Sequence, residues 1–192
     1  MINEKDIIKC ESIFSDDHAH RFMWRRVWNK DKPLAGIIML NPAHADNIMV
    51  DTSSALVVNN IARLGSYGGI VVVNLYSLIT KKLDFRWNSD EELNDPQNDA
   101  YIRKFAEECS IIILGYGKAY ESNYRITERA DKVLELFKPF ENKLFEISDG
   151  ERKGLHPLTP ALRNGWVLTP YVKENHTKNT PKPSANNIDP VV

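Results

Sequence analysis

Residues Leu34 to Asp51 read LAGIIMLNPAHADNIMVD, an apolar run that breaks into a polar turn. Leu34 to Leu40 has the length of a strand and is apolar throughout, the pattern of a parallel strand buried on both faces. The Asn41-Pro42 step stops it, because proline has no N–H for the ladder and pushes the preceding residue toward extended geometry. The turn beyond carries Asn41, Pro42, His44, Asp46 and Asp51. Open α/β sheets hold their ligands just past the carboxyl ends of such strands. This turn is therefore the first candidate for a functional site.

Working outward, the chain repeats the same grammar. Asp51 or Thr52 suits the N-cap of a helix from Ser53 to about Leu64, whose apolar face is Ala55, Leu56, Val58, Ile61, Ala62 and Leu64. Gly65 ends that helix, and SYGG leads into a second buried strand, Ile70 to Leu75. Thr80 to Asp95 is polar and turn-prone, with Lys81, Lys82, Arg86 and Trp87, and its length suits a loop that works as a lid. Asp95-Pro96 opens a helix to about Cys109, and Ile111 to Leu114 is a third buried strand ending in Gly115-Tyr116-Gly117. A helix from about Ser122 to Phe137 and a strand from Lys143 to Ile147 follow. The loop SDGERKG then leads to Leu155-His156-Pro157-Leu158, with a last apolar stretch around Trp166 to Leu168. Upstream, Ile7 to Phe14 and His20 to Trp28 read as a hairpin. Its second strand interleaves Arg21, Arg25 and Arg26 with Phe22, Trp24 and Trp28. That pattern suits a stacking surface with phosphate-facing cations, or an edge hairpin with arginine stems over aromatic rings.

Alternating strands and helices predict an α/β fold. The expected form is a three-layer α/β/α arrangement with a central, mostly parallel four-stranded sheet plus an N-terminal hairpin. Residues 1–172 are expected to form one domain, and 173–192, rich in proline, lysine and asparagine, a flexible tail. Right-handed crossovers would bring the carboxyl ends of all four strands to one edge. Asn41, Asn74, the Gly115 turn and His156 would then meet in one crevice.

The chain is 192 residues long with 42% hydrophobic and 27% charged residues, an ordinary globular composition. The formal net charge of −1 lacks the basic excess of a duplex-binding protein, so contact with nucleic acid would be local. No apolar run is long enough for a membrane span, and MINEKDIIKCE is too polar for a secretory signal, so a cytoplasmic protein is expected. The two cysteines, Cys10 and Cys109, have no CxxC spacing, and Cys109 reads as core.

At the crevice, Asn41 offers one acceptor and two donors for a water or an amide-like edge, or an Asx turn around Pro42. His44 and His156 suit acid–base work or donation to a developing negative charge, while a lone histidine also serves as a structural hydrogen bonder. Asp46 and Asp51 with the two histidines offer mixed metal ligands, but no spacing such as HExxH supports a metal, and helix capping accounts for Asp51. No metal and no cofactor are expected. Asn74, at the end of a buried strand, needs partners that a nucleobase edge can supply. Gly115 and Gly117 permit close backbone approach, and Tyr116 or Tyr76 offers a ring for stacking. Phosphate-cradling GxxxxGK[ST], dinucleotide GxGxxG and nucleophile-elbow GxSxG patterns are all absent.

RFMWRRVW, IIMLNPAHAD, Asp51-Thr52, GGIVVVNLYSL, IIILGYG and GLHPL resemble the bacterial family catalogued as domain of unknown function 1643, over roughly Arg21 to Pro170. The order of these motifs is also similar, at a distance, to the uracil-DNA glycosylase superfamily. That resemblance implies a water-positioning Asn41-Pro42 turn, with His44 where some branches carry a histidine. It also implies Asn74 as reader of a base edge and His156 as stabiliser of the departing base, with Pro157 and Leu158 pressing on nucleic acid. The HPLTPAL loop departs from the superfamily's HPSPLS type.

Two functions follow. One is glycosylase-like hydrolysis of an N-glycosidic bond, metal-independent, on a nucleobase-containing substrate. The other is a non-catalytic module that senses or binds a nucleotide or nucleic acid. The expected partners are a nucleobase, a nucleotide or single-stranded nucleic acid, and no membrane.

Overall fold

The apolar runs pair into one seven-stranded sheet in a computed structural model that describes residues 7–43, 48–163 and 165–172. In chain order the elements are β1 (Lys9–Phe14), β2 (Arg21–Val27), β3 (Leu34–Met39), α1 (Thr52–Leu64), β4 (Gly69–Asn74), α2 (Asp90–Leu93), α3 (Asn98–Glu108), β5 (Ile111–Leu114), α4 (Tyr124–Leu136), β6 (Leu144–Ser148) and β7 (Val167–Pro170). The sheet order is β1-β2-β4-β3-β5-β6-β7. The four strands expected as the parallel core are there, paired parallel as β4·β3, β3·β5 and β5·β6.

The expectation of four strands with a separate hairpin needs correcting. The hairpin is part of the sheet, because β2 pairs antiparallel with β4 from Trp24↔Val72 to Val27↔Gly69. At the other edge β7 pairs antiparallel with β6, from Phe145↔Pro170 to Ser148↔Val167. A strand this short, ending in proline, is hard to read from pattern but acceptable at an edge, where one side of the ladder needs no donors. β2 is therefore an interior strand, which explains why Phe22, Met23 and Trp24 are all buried.

Alternation along the central strands feeds two cores. Ile37, Met39, Ile70, Val72, Ile111 and Ile113 pack toward α1, against Val57 and Ile61. Ile38, Val71, Val73, Ile112 and Leu114 pack the other way, against Ile102, Phe105, Ile126 and Val133 of α3 and α4. α1 begins and ends as its sequence dictates: Asp51 caps it by accepting from Ser54 N–H, and Gly65 closes it at φ 69°. The segment Thr80 to Asp95, expected as a loop, contains α2, which Ser89 and Glu92 open with a reciprocal capping box. Leu83 and Leu93 bury this segment in the second core. Arg125 holds it from α4 through Phe85 O (2.8 Å), Asn88 O (3.1 Å) and the Asp90 carboxylate (2.6 Å). Among the described residues no helix is long and apolar enough to cross a membrane. Residues 173–192 lie outside the described residues.

Candidate functional site

Within the parallel centre the chain runs from β3 outward to β4, then returns past β3 to β5 and on to β6. The order reverses between β3 and β5, and α/β sheets form their ligand crevice at the carboxyl ends of the strands flanking such a reversal. Loops from all four parallel strands meet at this edge. Thr80 N–H donates to Pro42 O at 3.1 Å, and Tyr76 N–H to Leu40 O at 3.0 Å, joining the β4 loop to the β3 turn. Gly115 N–H donates to Ile38 O at 2.8 Å, which seats the β5 turn against β3.

Asn41 is half-buried where β3 ends. Its Nδ2 donates to Thr80 O at 2.6 Å and to Pro42 O at 3.3 Å. These bonds fix the carboxamide, with Oδ1 as the end left to accept; no described residue hydrogen-bonds that oxygen. Both readings of Asn41 thus meet in one side chain, as a brace for the turn and an oriented acceptor.

His156 sits on the loop after β6. Leu158 N–H donates to its Nδ1 at 3.1 Å, and a backbone amide can only donate, so Nδ1 is the bare nitrogen and the ring proton is on Nε2. Burial pushes the His156 pKa below its usual value, against the pull of the nearby Asp51 charge. The ring is thus a neutral donor through Nε2–H. Gly117, at φ +64°, packs directly on it: a Cβ at this glycine would lie 2.7 Å from His156 Cβ and 3.2 Å from His156 N. No other residue type fits there without displacing the histidine. Pro157, the next residue, is buried, whereas Leu158 is 45% exposed.

Asn74 ends β4 and is 2% exposed. It shares Val72's face of the strand, the α1 side, by alternation. Its carbonyl accepts from Asn98 Nδ2 at 3.1 Å, while no described residue hydrogen-bonds its carboxamide. A second buried polar group, Arg21, enters the same edge at 3% exposure, because the antiparallel β2 begins where the parallel strands end. A bulge decides where it points. The β1–β2 register passes from Ile13↔Met23 to Phe14↔Arg21, so Phe22 is the extra residue. Met23 packs toward α3 and α4, and Phe22 stacks on Tyr101 of α3 at 4.8 Å, so both occupy the same face. Arg21 is thereby turned to the α1 side with Trp24. Burial lowers its pKa to about 10 and the Asp51 charge opposes this, so the guanidinium stays cationic at neutral pH. Asp51 itself is engaged as a cap, accepting from Ser54 N at 3.0 Å and from Ser54 Oγ at 2.7 Å.

Other expected residues lie elsewhere. Tyr116 and Tyr76 are buried in the core on the α3–α4 side, away from the face that carries Asn74. Tyr76 OH donates to Arg125 O at 2.9 Å, and its ring meets Phe85 edge-on, so neither tyrosine presents a free ring at this edge. His44 and Asp46 lie outside the described residues. Among the described residues no group of three or more histidine, cysteine or acidic side chains is placed to hold a metal. A cleft of about 160 Å³ lies on the opposite face between α2 and α4, but its arginines are paired, Arg125 with Asp90 (2.6 Å) and Arg129 with Asp99 (2.5 Å). On β2, Arg26 lies over the Trp24 ring at 5.1 Å and Arg25 pairs with Glu108 at 2.5 Å, which favours the arginine-over-ring reading. Arg21, named with Arg25 and Arg26 as a phosphate-facing cation or an edge stem, is the one of the three that is buried at this edge, which its sequence neighbours do not indicate. The bulge that aims it has no signature in RFMWRRVW.

The family described as protein of unknown function, DUF1643, matches residues 21–158, and the chain belongs to it. The match begins at Arg21 and runs just past His156. No curated sequence matches the chain.

Proposed function

We propose that this DUF1643 protein binds a nucleobase or nucleotide at the carboxyl edge of its parallel strands and hydrolyses an N-glycosidic bond there. The observation that carries the reading is the Leu158 N–H bond to His156 Nδ1, which assigns the ring proton to Nε2. A neutral imidazole donating through Nε2–H suits negative charge that develops on a departing base, since a neutral donor loses no proton-transfer equilibrium to solvent at neutral pH. Asn41 Oδ1 would accept a hydrogen bond from the attacking water and orient it, and the buried Asn74 carboxamide would read the edge of the base. In the step itself the water oxygen bonds to the sugar carbon. The C–N pair leaves with the base, whose charge His156 meets, and the proton lost from the water balances that charge through solvent. Gly115 and Gly117 let the β5 turn close on β3 and His156, and Pro42, Pro157 and Leu158 shape the rim. The Asp51 charge acts on His156 against the larger effect of burial. The order of motifs shared with uracil-DNA glycosylases supports the same assignment of roles.

The test is chromatography for released base after incubation with nucleosides, nucleotides and uracil-containing single strands. Base release that disappears in Asn41→Ala and His156→Ala supports the reading. Release unchanged in both variants sinks the assignment of roles.

A second reading, binding without turnover, is favoured by the state of Asp51. Both its oxygens already accept from Ser54 as a helix cap, and Asn41, which can orient a water, is not a base and cannot take its proton. A protein of this kind binds a ligand from that panel and forms no product over long incubation.

A further inference from the structure

We propose that the outer edge of β1 is the seam of a two-fold dimer, in which β1 of one copy pairs antiparallel with β1 of a second copy about an axis at Cys10. The edge carries none of the crevice residues, so dimerisation and base release are separable.

Among the described residues β1 pairs with β2 alone. Hydrogen bonding fixes which of its backbone groups look outward. Ser15 N–H donates to His20 O at 3.0 Å, toward β2, and Trp28 N–H donates to Gly68 O at 2.8 Å, away from β1. Alternation from either bond gives the same answer. Lys9, Glu11 and Ile13 bond to β2, whereas Ile8 and Cys10 direct N–H and C=O to the open edge. Outward amides and carbonyls in a row are a template for another strand. Ile7 and Ile8, at 87% and 50% exposure, continue this edge with apolar side chains that a second strand would cover.

The sequence of the edge is complementary to itself. In a two-fold pairing each residue meets the one at its mirror position about the axis. An axis at Lys9 sets lysine against lysine, and one at Glu11 sets glutamate against glutamate, both repulsive. An axis at Cys10 sets Lys9 against Glu11 of the second copy, twice over, and Ile7 against Ile13 of the second copy. Cys10, with its outward backbone, is then the central hydrogen-bonded pair. Lys9 and Glu11 fall in the closer, non-hydrogen-bonded pairs, where facing side chains meet best. Lysine on an edge commonly blocks pairing. Here, two places from a glutamate, it blocks the other registers and favours this one. The neighbouring charge points to the same occupant. A groove of about 430 Å³ between β1 and α3 is lined by Ile13 and Met23, with Glu11, Glu107 and Glu108 against Arg25 and Lys104. Arg25 is already engaged by Glu11 at 3.5 Å and Glu108 at 2.5 Å. Lys9 is exposed and has no ion pair among the described residues, and from the second copy it would enter on this face and balance the odd carboxylate.

The experiment is analytical sedimentation of the full chain over a range of concentrations, under reducing conditions so that Cys10 cannot link copies covalently. The expected species is a reversible dimer of twice the chain mass. Lys9→Glu or Glu11→Lys alone should raise its dissociation constant about tenfold or more, because each turns both attractive pairs repulsive. The double variant, Lys9→Glu with Glu11→Lys, should return the constant to near its original value, which damage to the hairpin would not do. Cys10→Pro removes an outward N–H that β2 does not use, so it should abolish the dimer with the circular dichroism of the fold unchanged. If that variant does not fold, the charge pair decides alone. A chain that stays monomeric at about 1 mM overturns the dimer. A dimer indifferent to the single charge changes and to Cys10→Pro overturns the β1 seam. A dimer weakened by each single change but not recovered in the double variant overturns the axis at Cys10.

Discussion

Gly117→Ala tests the contact on which the orientation of His156 depends. Two costs add at this position. The residue has φ +64°, and an L-residue in the left-handed region costs about 1–2 kcal/mol. The new methyl would also lie 2.7 Å from His156 Cβ, between two atoms attached to backbone with no rotamer to relieve them. Overpacking of this kind costs about 1–3 kcal/mol. Alanine returns about 0.4–1 kcal/mol by restricting the unfolded chain. The net expectation is about 2–4 kcal/mol, a large part of the about 5–15 kcal/mol that holds a typical domain. Gly65→Ala is the internal control. Gly65 has φ +69° but nothing within 4 Å of a built Cβ, so it isolates the dihedral cost. Urea unfolding of both variants, with unchanged m-values, gives the difference. Gly117→Ala should exceed Gly65→Ala by about 1–3 kcal/mol and should shift the His156 ring resonances, which Gly65→Ala leaves in place. Equal costs for the two variants, with His156 resonances unmoved, would refute the packing argument.

Three further outcomes follow from the same geometry. His156 has a folded pKa below its usual 6.5, so it contributes stability at pH above about 6.5 that is lost as pH falls through the lowered value. Nitrogen chemical shifts should report an Nε2–H tautomer at neutral pH, and the acid loss of stability should shrink in His156→Gln; an Nδ1–H tautomer would contradict the Leu158 bond. Cys109 is 1% exposed, with its thiol pushed up to about 12 mainly by burial and then by Glu108, whereas Cys10 is only half-buried. A thiol reagent should therefore modify Cys10 in the folded protein and reach Cys109 only on unfolding, as mass spectrometry of time points would show. Arg125→Ala should free the segment around α2, raising hydrogen exchange of amides 83–90 about tenfold, equivalent to about 1.4 kcal/mol of lost local stability, with the β-sheet amides unchanged. Exchange spreading equally through the sheet would mean that the anchor is global.

The sequence makes the centre of the fold plain because hydrophobic burial leaves a local record. Leu34 to Leu40, Ile70 to Leu75 and Ile111 to Leu114 are continuous apolar runs because both their faces are covered, and each is a parallel strand. Asp51 and Gly65 mark the ends of α1 because caps are chemical necessities at fixed places. The edges are less legible. β7 has four residues with an uneven exposed-to-intermediate pattern, and α2 has four residues, little more than one turn, so neither repeats its period often enough to stand out. At the crevice, Asn74 and His156 could be read as polar residues out of place at strand ends. The tyrosines could not, since nothing in VNLYSL or LGYG says to which side of the sheet a ring turns. Pairing decides that, and pairing is non-local. Arg21 shows this best: its neighbours in sequence are an ordinary run of aromatics and cations, and only the register against β1 assigns it a different side.

The Phe22 bulge makes chain length, as well as composition, part of the site. In a regular strand each step exchanges one face for the other, and the bulge absorbs one step, so ironing it out at constant length acts as a frameshift of faces. With Phe22 brought opposite Phe14 in an unbroken ladder, all three arginines of RFMWRRVW would remain and β2 could still pair with β4, yet Arg21 would fall on the α3–α4 side; deleting Phe22 would instead leave Arg21 opposite Phe14 on its present face. A relative that holds an arginine on this face opposite Phe14 needs either this bulge or one residue fewer in β2. Spacing between Ile13's partner Met23 and the first arginine is the quantity to compare among them before any identity.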